Sequence, residues 1–179
     1  MDKGQQSDVQ LFFDELAKEG ITPVVYKPYF DEINPHLSLP ADTETFAEHS
    51  DLTSEIDFMI SLGGDGTLLN TITLVRNKKI PVVGINFGRL GFLASIGRTE
   101  MVEAVKALAL RSFIIDKRAL IHLDSSLPLF GETPYALNEF AIHKQDIAPM
   151  IKIHTYLNGE LLNTYWADGL ILATPTGST

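Results

Sequence analysis

Cysteine is absent from the 179-residue chain, which excludes a disulfide framework and any thiolate metal centre. Positive charge is scarce: 14 lysines and arginines stand against 23 aspartates and glutamates, a net charge of −9. That balance argues against general affinity for nucleic acid or an anionic membrane surface, whereas a phosphorylated small molecule needs only local positive potential. No stretch approaches the roughly 20 apolar residues needed to span a bilayer. The opening Met1-Asp2-Lys3-Gly4-Gln5-Gln6 lacks the apolar core of a signal peptide, so a cytoplasmic protein is the expectation. The remaining composition, 45% hydrophobic and 21% charged, is that of a globular protein with one sizeable core or two small ones.

The most informative run is Gly63-Gly64-Asp65-Gly66-Thr67, directly after the apolar Asp57-Phe58-Met59-Ile60-Ser61-Leu62. A short apolar run bounded by glycines reads as a buried parallel strand followed by a turn. Thr67 and the periodic Leu68, Leu69, Ile72 and Leu74 read as a helix, whose first N–H groups favour an anion. Gly63, Gly64 and Thr67 are therefore candidate phosphate contacts, and Asp65 is a fixed acid able to act on a hydroxyl or a metal. A glycine-rich turn alone also fits a purely structural connection.

Val9, Phe12, Phe13, Leu16 and Ala17 recur at helical spacing, stopped by Gly20, and 22–26 reads as a strand. The stretch from Lys27 to about Ser54 is polar and proline-containing, with one short helix expected around Thr43–His49. Residues 81–85 read as a buried strand and 100–110 as a strongly periodic helix. Alternating strands and helices predict an α/β domain with a parallel sheet over residues 1–112. Beyond it, 113–124, 136–144, 151–158, 162–166 and 170–173 read as strands without intervening helices, with a hairpin signal at Asn158-Gly159. Residues 113–179 are thus expected to be part of an antiparallel, sandwich-like all-β domain. A helix that opens the chain before a strand, and a motif-like turn that closes it, predict truncation at both ends.

Three further segments carry candidate chemistry. Asn86-Phe87-Gly88-Arg89-Leu90-Gly91-Phe92-Leu93 follows strand 81–85, at the sheet edge where ligands of open α/β folds bind. There Arg89 offers a phosphate fork and Phe92 a flat face, though core packing and a solvated loop arginine fit as well. Asn138-Glu139 sits within an apolar run, where an amide beside a carboxylate can hold adjacent ribose hydroxyls, or simply face solvent at a strand edge. Asp168-Gly169 and Thr174-Pro175-Thr176-Gly177-Ser178-Thr179 bracket the strand 170–173, as a ligand turn or a plain hairpin closure.

GGDGT resembles the signature of a kinase superfamily containing NAD kinases, diacylglycerol and sphingosine kinases and, more distantly, phosphofructokinases. GGDGT, GRLGFLA, LNEFAIH and WADGLILATPTGST, in this order, are similar to the NAD kinase family over residues 57–179. The resemblance implies transfer of the γ-phosphoryl group of ATP to the 2′-hydroxyl of NAD's adenosine ribose, with Mg²⁺ or another divalent ion whose ligands it leaves unknown. It implies Asp65 as the acid that activates the hydroxyl, with Gly66 beside it. Asn138 and Glu139 would hold ribose hydroxyls, Phe92, Thr176 and Thr179 would surround the adenine, and Asp168 would contact a nucleoside end. Trp166 stands where family members often carry a polar residue. The family also implies NAD and ATP as partners and a homo-oligomer (dimer or tetramer), while the acidic net charge weighs against nucleic acid and membrane. A lipid kinase of the same superfamily, or a non-catalytic NAD-binding or oligomerising fragment, are the alternatives.

Overall fold

Helix α1 (Lys3–Lys18) buries one stripe, Val9, Phe12, Phe13 and Leu16, each at 3% exposure or less. That i, i+3, i+4, i+7 spacing aligns the four on one helical face. Helix α4 (Met101–Ala109) presents Met101 and Val105 to the same core, which also holds Ile85 and Ile33. Each such side chain taken fully out of water stabilises the fold by about 1.5–3 kcal/mol. The computed structural model describes residues 3–88, 91–127, 129–131, 133–145 and 149–178.

Two compact units divide the chain, residues 1–116 and 117–179. In the first, β1 (Val24–Tyr26) pairs in parallel with β2 (Glu44–Phe46). A second parallel sheet runs β3 (Met59–Leu62), β4 (Val82–Asn86), β5 (Ile96–Gly97), with Met59 opposite Val82 and Ile85 opposite Ile96. Helix α2 (Lys27–Ile33) follows β1, and α3 (Asp65–Val75) follows β3. This is the α/β architecture with a parallel sheet that the alternating pattern predicts. Among the described residues, the outer edges of β1 and β3 carry no strand, and residues from both line one cavity of about 840 Å³.

The second unit is antiparallel. β6 (Ile121–His122) pairs with β7 (Tyr135–Ala136), β8 (Glu139–His143) with β11 (Gly169–Ala173), and β9 (Ile151–Leu157) with β10 (Glu160–Ala167). The β9–β10 turn places Asn158 at φ 53° and Gly159 at φ 89°, the left-handed pair that a two-residue hairpin requires.

Two local expectations differ from the structure. Where a helix was expected around Thr43–His49 there is instead β2, followed by a single 3₁₀ turn at His49–Asp51, and α2 lies earlier with proline at its start. The expected strand 113–124 contracts to Ile121–His122, and Ile114 is 97% exposed. An apolar β-branched run has the composition of a strand, but a ladder needs a partner that composition does not supply.

Candidate functional site

The glycine turn is built by three constraints. Gly63 adopts φ +149°, and a Cβ there would lie 2.5 Å from Thr67 Oγ1, so a side chain fits neither the backbone nor the space. Its N–H donates to Ile85 O at 2.9 Å, which commits that amide to the sheet. Gly64 is the extended N-cap of α3, and its carbonyl accepts from the amides of Thr67 (3.0 Å) and Leu68 (3.2 Å). Asp65 and Gly66 thus occupy the open first turn, where amides lack intrahelical acceptors and the helix dipole favours negative charge. Thr67 is exposed, with its hydroxyl packed over Gly63 and its carbonyl accepting from Thr71 Oγ1 at 2.9 Å.

The Asp65 carboxylate grips the loop that follows β4. Oδ1 accepts from the amides of Leu93 (3.0 Å) and Ala94 (2.9 Å), and Oδ2 accepts from Phe92 (2.9 Å). The Ala94 amide above all, joined by those of Phe92 and Leu93 and opposed by partial burial, holds the carboxyl below the usual carboxylate range. Ala94, fully buried, anchors the far end of the loop, while the Phe92 ring is 97% exposed. A carboxylate has about four lone-pair sites. Three are taken here, so one remains on Oδ2.

Beside this turn, at the carboxyl ends of β3 and β4, lies a cavity of about 430 Å³ lined by Gly63, Gly64, Asn86, Gly88, Tyr29 and Glu32, among others. Asn86 is buried, and its Oδ1 accepts from the Gly88 amide at 2.8 Å, shaping the loop start. Burial first, and the Glu32 charge second, push the Tyr29 phenol up to about 12, so it remains a neutral hydroxyl at physiological pH. Sequence reasoning missed Tyr29 and Glu32. Pro28 at the start of α2 was the available signal for their helix, since proline is favoured in a first helical turn.

In the second unit the structure brings Asn138, Glu139 and the 174–178 turn together. Thr174 N donates to Asn138 O at 2.8 Å and Thr174 Oγ1 to Leu137 O at 2.5 Å, while Gly177 N donates to Thr174 Oγ1 at 3.3 Å. Asn138 Oδ1 is buried and has no hydrogen-bond partner among the described residues. Such an orphan acceptor is rare enough to require a reason. Glu139 opens β8 and is exposed, and Thr176 is half-buried. Asp168 is elsewhere: it precedes β11 and pairs with Lys144 at 2.8 Å, whereas Thr174 follows β11. The five-residue strand between them sets them about 20 Å apart. Arg89 and Thr179, both singled out from the sequence, lie outside the described residues. No group of three or more His, Asp or Glu side chains able to hold a metal occurs among the described residues. Among them, too, no helix is long and apolar enough to cross a membrane.

Residues 5–112 match the family model of the ATP-NAD kinase N-terminal domain, and residues 137–179 that of the ATP-NAD kinase C-terminal domain. The chain is 45% identical over 172 residues to the NAD kinase of Cytophaga hutchinsonii, a match that covers 96% of this chain and 59% of that protein. Its fold is similar to yeast NADH kinase complexed with NADH (TM-score 0.77, 24% identity, 97% of this chain and 55% of that one). It is also similar to an NAD kinase from Archaeoglobus fulgidus in complex with ATP (TM-score 0.57, 26% identity, 88% and 61%). The chain thus spans about three-fifths of the length of the curated relative.

Proposed function

Because the chain belongs to the ATP-NAD kinase family, we propose that it phosphorylates NAD, moving the γ-phosphoryl group of ATP to the 2′-hydroxyl of the adenosine ribose. One observation carries the reading: an ionised carboxylate at an open helix N-terminus keeps a single acceptor site, on Oδ2, beside an exposed aromatic ring. The ribose hydroxyl donates to that site. Its oxygen forms the new bond to phosphorus as the bond to the β-phosphate oxygen breaks and ADP leaves, and its proton passes to Asp65. A carboxyl held below its usual range is a weak base, so the transfer comes late and Asp65 acts chiefly by aligning the nucleophile. That division suits phosphoryl transfer, where positioning and charge neutralisation supply most of the acceleration.

The other residues divide by chemistry. Asn138, whose buried Oδ1 awaits a donor, and Glu139 hold ribose hydroxyls. By the family resemblance, Phe92 in the first unit is assigned an adenine contact; within the second unit Thr176 is assigned the same role and Asp168 a contact with a nucleoside end. Amides of the Gly64–Gly66 turn, with Thr67, face phosphate, while Gly63 contributes shape. The described residues supply no metal cage, so no residue is assigned to Mg²⁺ and no step is routed through it; a divalent ion enters with the nucleotide, the usual habit of Mg²⁺. A cytoplasmic homo-oligomer, dimer or tetramer, completes the reading, supported by apolar side chains left exposed on β9 and β10 such as Leu157, Leu161 and Trp166.

The test is NADP formation from NAD, ATP and Mg²⁺, with Asp65→Asn beside the unaltered chain. Product that falls by about 10²-fold or more in the variant supports the reaction and the role of Asp65. Unchanged product in the variant, or none from a protein carrying the full length of its relatives, overturns it.

A further inference from the structure

Gly91 lies where the loop meets the Asp65 carboxylate. A Cβ built there would stand 2.5 Å from Asp65 Cγ and 2.6 Å from Oδ2, and closer still to Oδ1. The three atoms nearest to it all belong to that one carboxylate. The Asp65 carboxylate thus occupies the place of a side chain at Gly91.

We propose that Gly91 is a positioning residue for Asp65: its bare Cα lets the carboxylate lodge against three successive amides with one acceptor site of Oδ2 left for the acceptor hydroxyl. The last clause rests on the phosphoryl-transfer reading, whereas the contact stands without it. In Gly91→Ala the carboxylate is the movable partner. It rotates away, the Phe92, Leu93 and Ala94 amides lose their acceptor, and Phe92 loses the hydrogen bond that ties its backbone to the turn. The same rotation releases the carboxyl from the groups that hold it low. Those groups are the three amides, and no charged side chain among the described residues contributes.

The test is the titration of the Asp65 side-chain carboxyl, followed by carbon-detected NMR in the unaltered chain and in Gly91→Ala. The midpoint is expected to rise into the ordinary carboxylate range in the variant, and the three loop amide protons are expected to shift upfield. In active protein the acidic limb of the kcat profile should move up with it, and kcat should fall more than KM rises. A second measurement guards against a trivial folding defect. In an Asp65→Ala background the space is vacated, so Gly91→Ala should leave the urea midpoint where it was. An unchanged Asp65 titration in Gly91→Ala overturns the inference, and so does equal destabilisation in both backgrounds, which would assign the glycine to the backbone. A shifted titration in a full-length protein that forms no NADP sustains the positioning role and overturns the proposed reaction instead.

Discussion

Replacing Asp65 by Asn is close to isosteric, and its effect on stability can be worked out bond by bond. If Oδ1 remains oxygen, the Leu93 and Ala94 amides keep an acceptor, but two charge-assisted bonds become neutral ones. At Oδ2 an NH₂ now faces the Phe92 N–H, donor against donor, and that bond is lost. Bonds to charged groups contribute about 1.5–3 kcal/mol net and neutral ones about 0.5–1.5. The sum, about 3.5–6 kcal/mol, is discounted because the carboxylate is partly open to water, leaving about 1–3 kcal/mol for the first unit. With a urea slope of about 2 kcal/mol/M, the midpoint should fall by about 1 M at pH 7. Trp166, the chain's single tryptophan, belongs to the second unit, so amide exchange of β3 and β4 is the right probe. The pH dependence follows from the direction of the shift. A folded-state carboxyl held low contributes stability that is fully present above the unfolded value of about 3.9 and is lost as pH falls through the folded value. Once protonated, Asp65 resembles Asn, so the two chains should converge in acid. Equal midpoints at pH 7, or a difference that persists undiminished in acid, would refute the reasoning.

Asn138→Leu removes a buried oxygen that has no partner among the described residues, so the second unit should be as stable or more stable while NAD affinity falls; Trp166 fluorescence against urea and calorimetric titration with NAD read the two effects. Lost stability with retained affinity would assign Asn138 to the fold. Thr174→Val keeps the shape but deletes the hydroxyl between Leu137 O and Gly177 N, and should cost about 1–2 kcal/mol in the same assay together with weaker nucleotide binding.

What the sequence made legible is local. The strand into GGDGT, the periodic helices α3 and α4 and the Asn158-Gly159 hairpin each carry their signal within a few consecutive residues. Pro28 announced α2, but a polar, proline-containing context concealed it. The run from Phe113 looks like a strand because β-branched composition is local, and fails as one because pairing is not. The site divides in the same way. Asp65 stood out as an acid among glycines, whereas its grip on residues 92–94 spans 27 to 29 positions and leaves no mark in either segment. The commitment of Gly63's amide to Ile85 and the meeting of Asn138 with Thr174 are likewise products of strand register. Six of the residues singled out, Gly63 to Thr67 and Phe92, gather in the first unit; Asn138, Glu139 and Thr176 gather in the second. Asp168, adjacent in motif, is carried to the far end of β11 by strand length alone.

Among the described residues, the outer edges of β1 and β3 are unpaired, and this decides what the cavity between them offers. Parallel strands are at ease only with neighbours on both sides, and an open edge offers its amides and carbonyls to any extended segment that reaches it. The alternation of a parallel ladder decides which groups are on offer. Met59 and Gly63 donate toward β4, so the backbone groups of Ile60 and Leu62 point the other way, into the 840 Å³ cavity. Among the described residues these groups have no strand partner, so this cavity is where an extended segment would find main-chain hydrogen bonds on both walls.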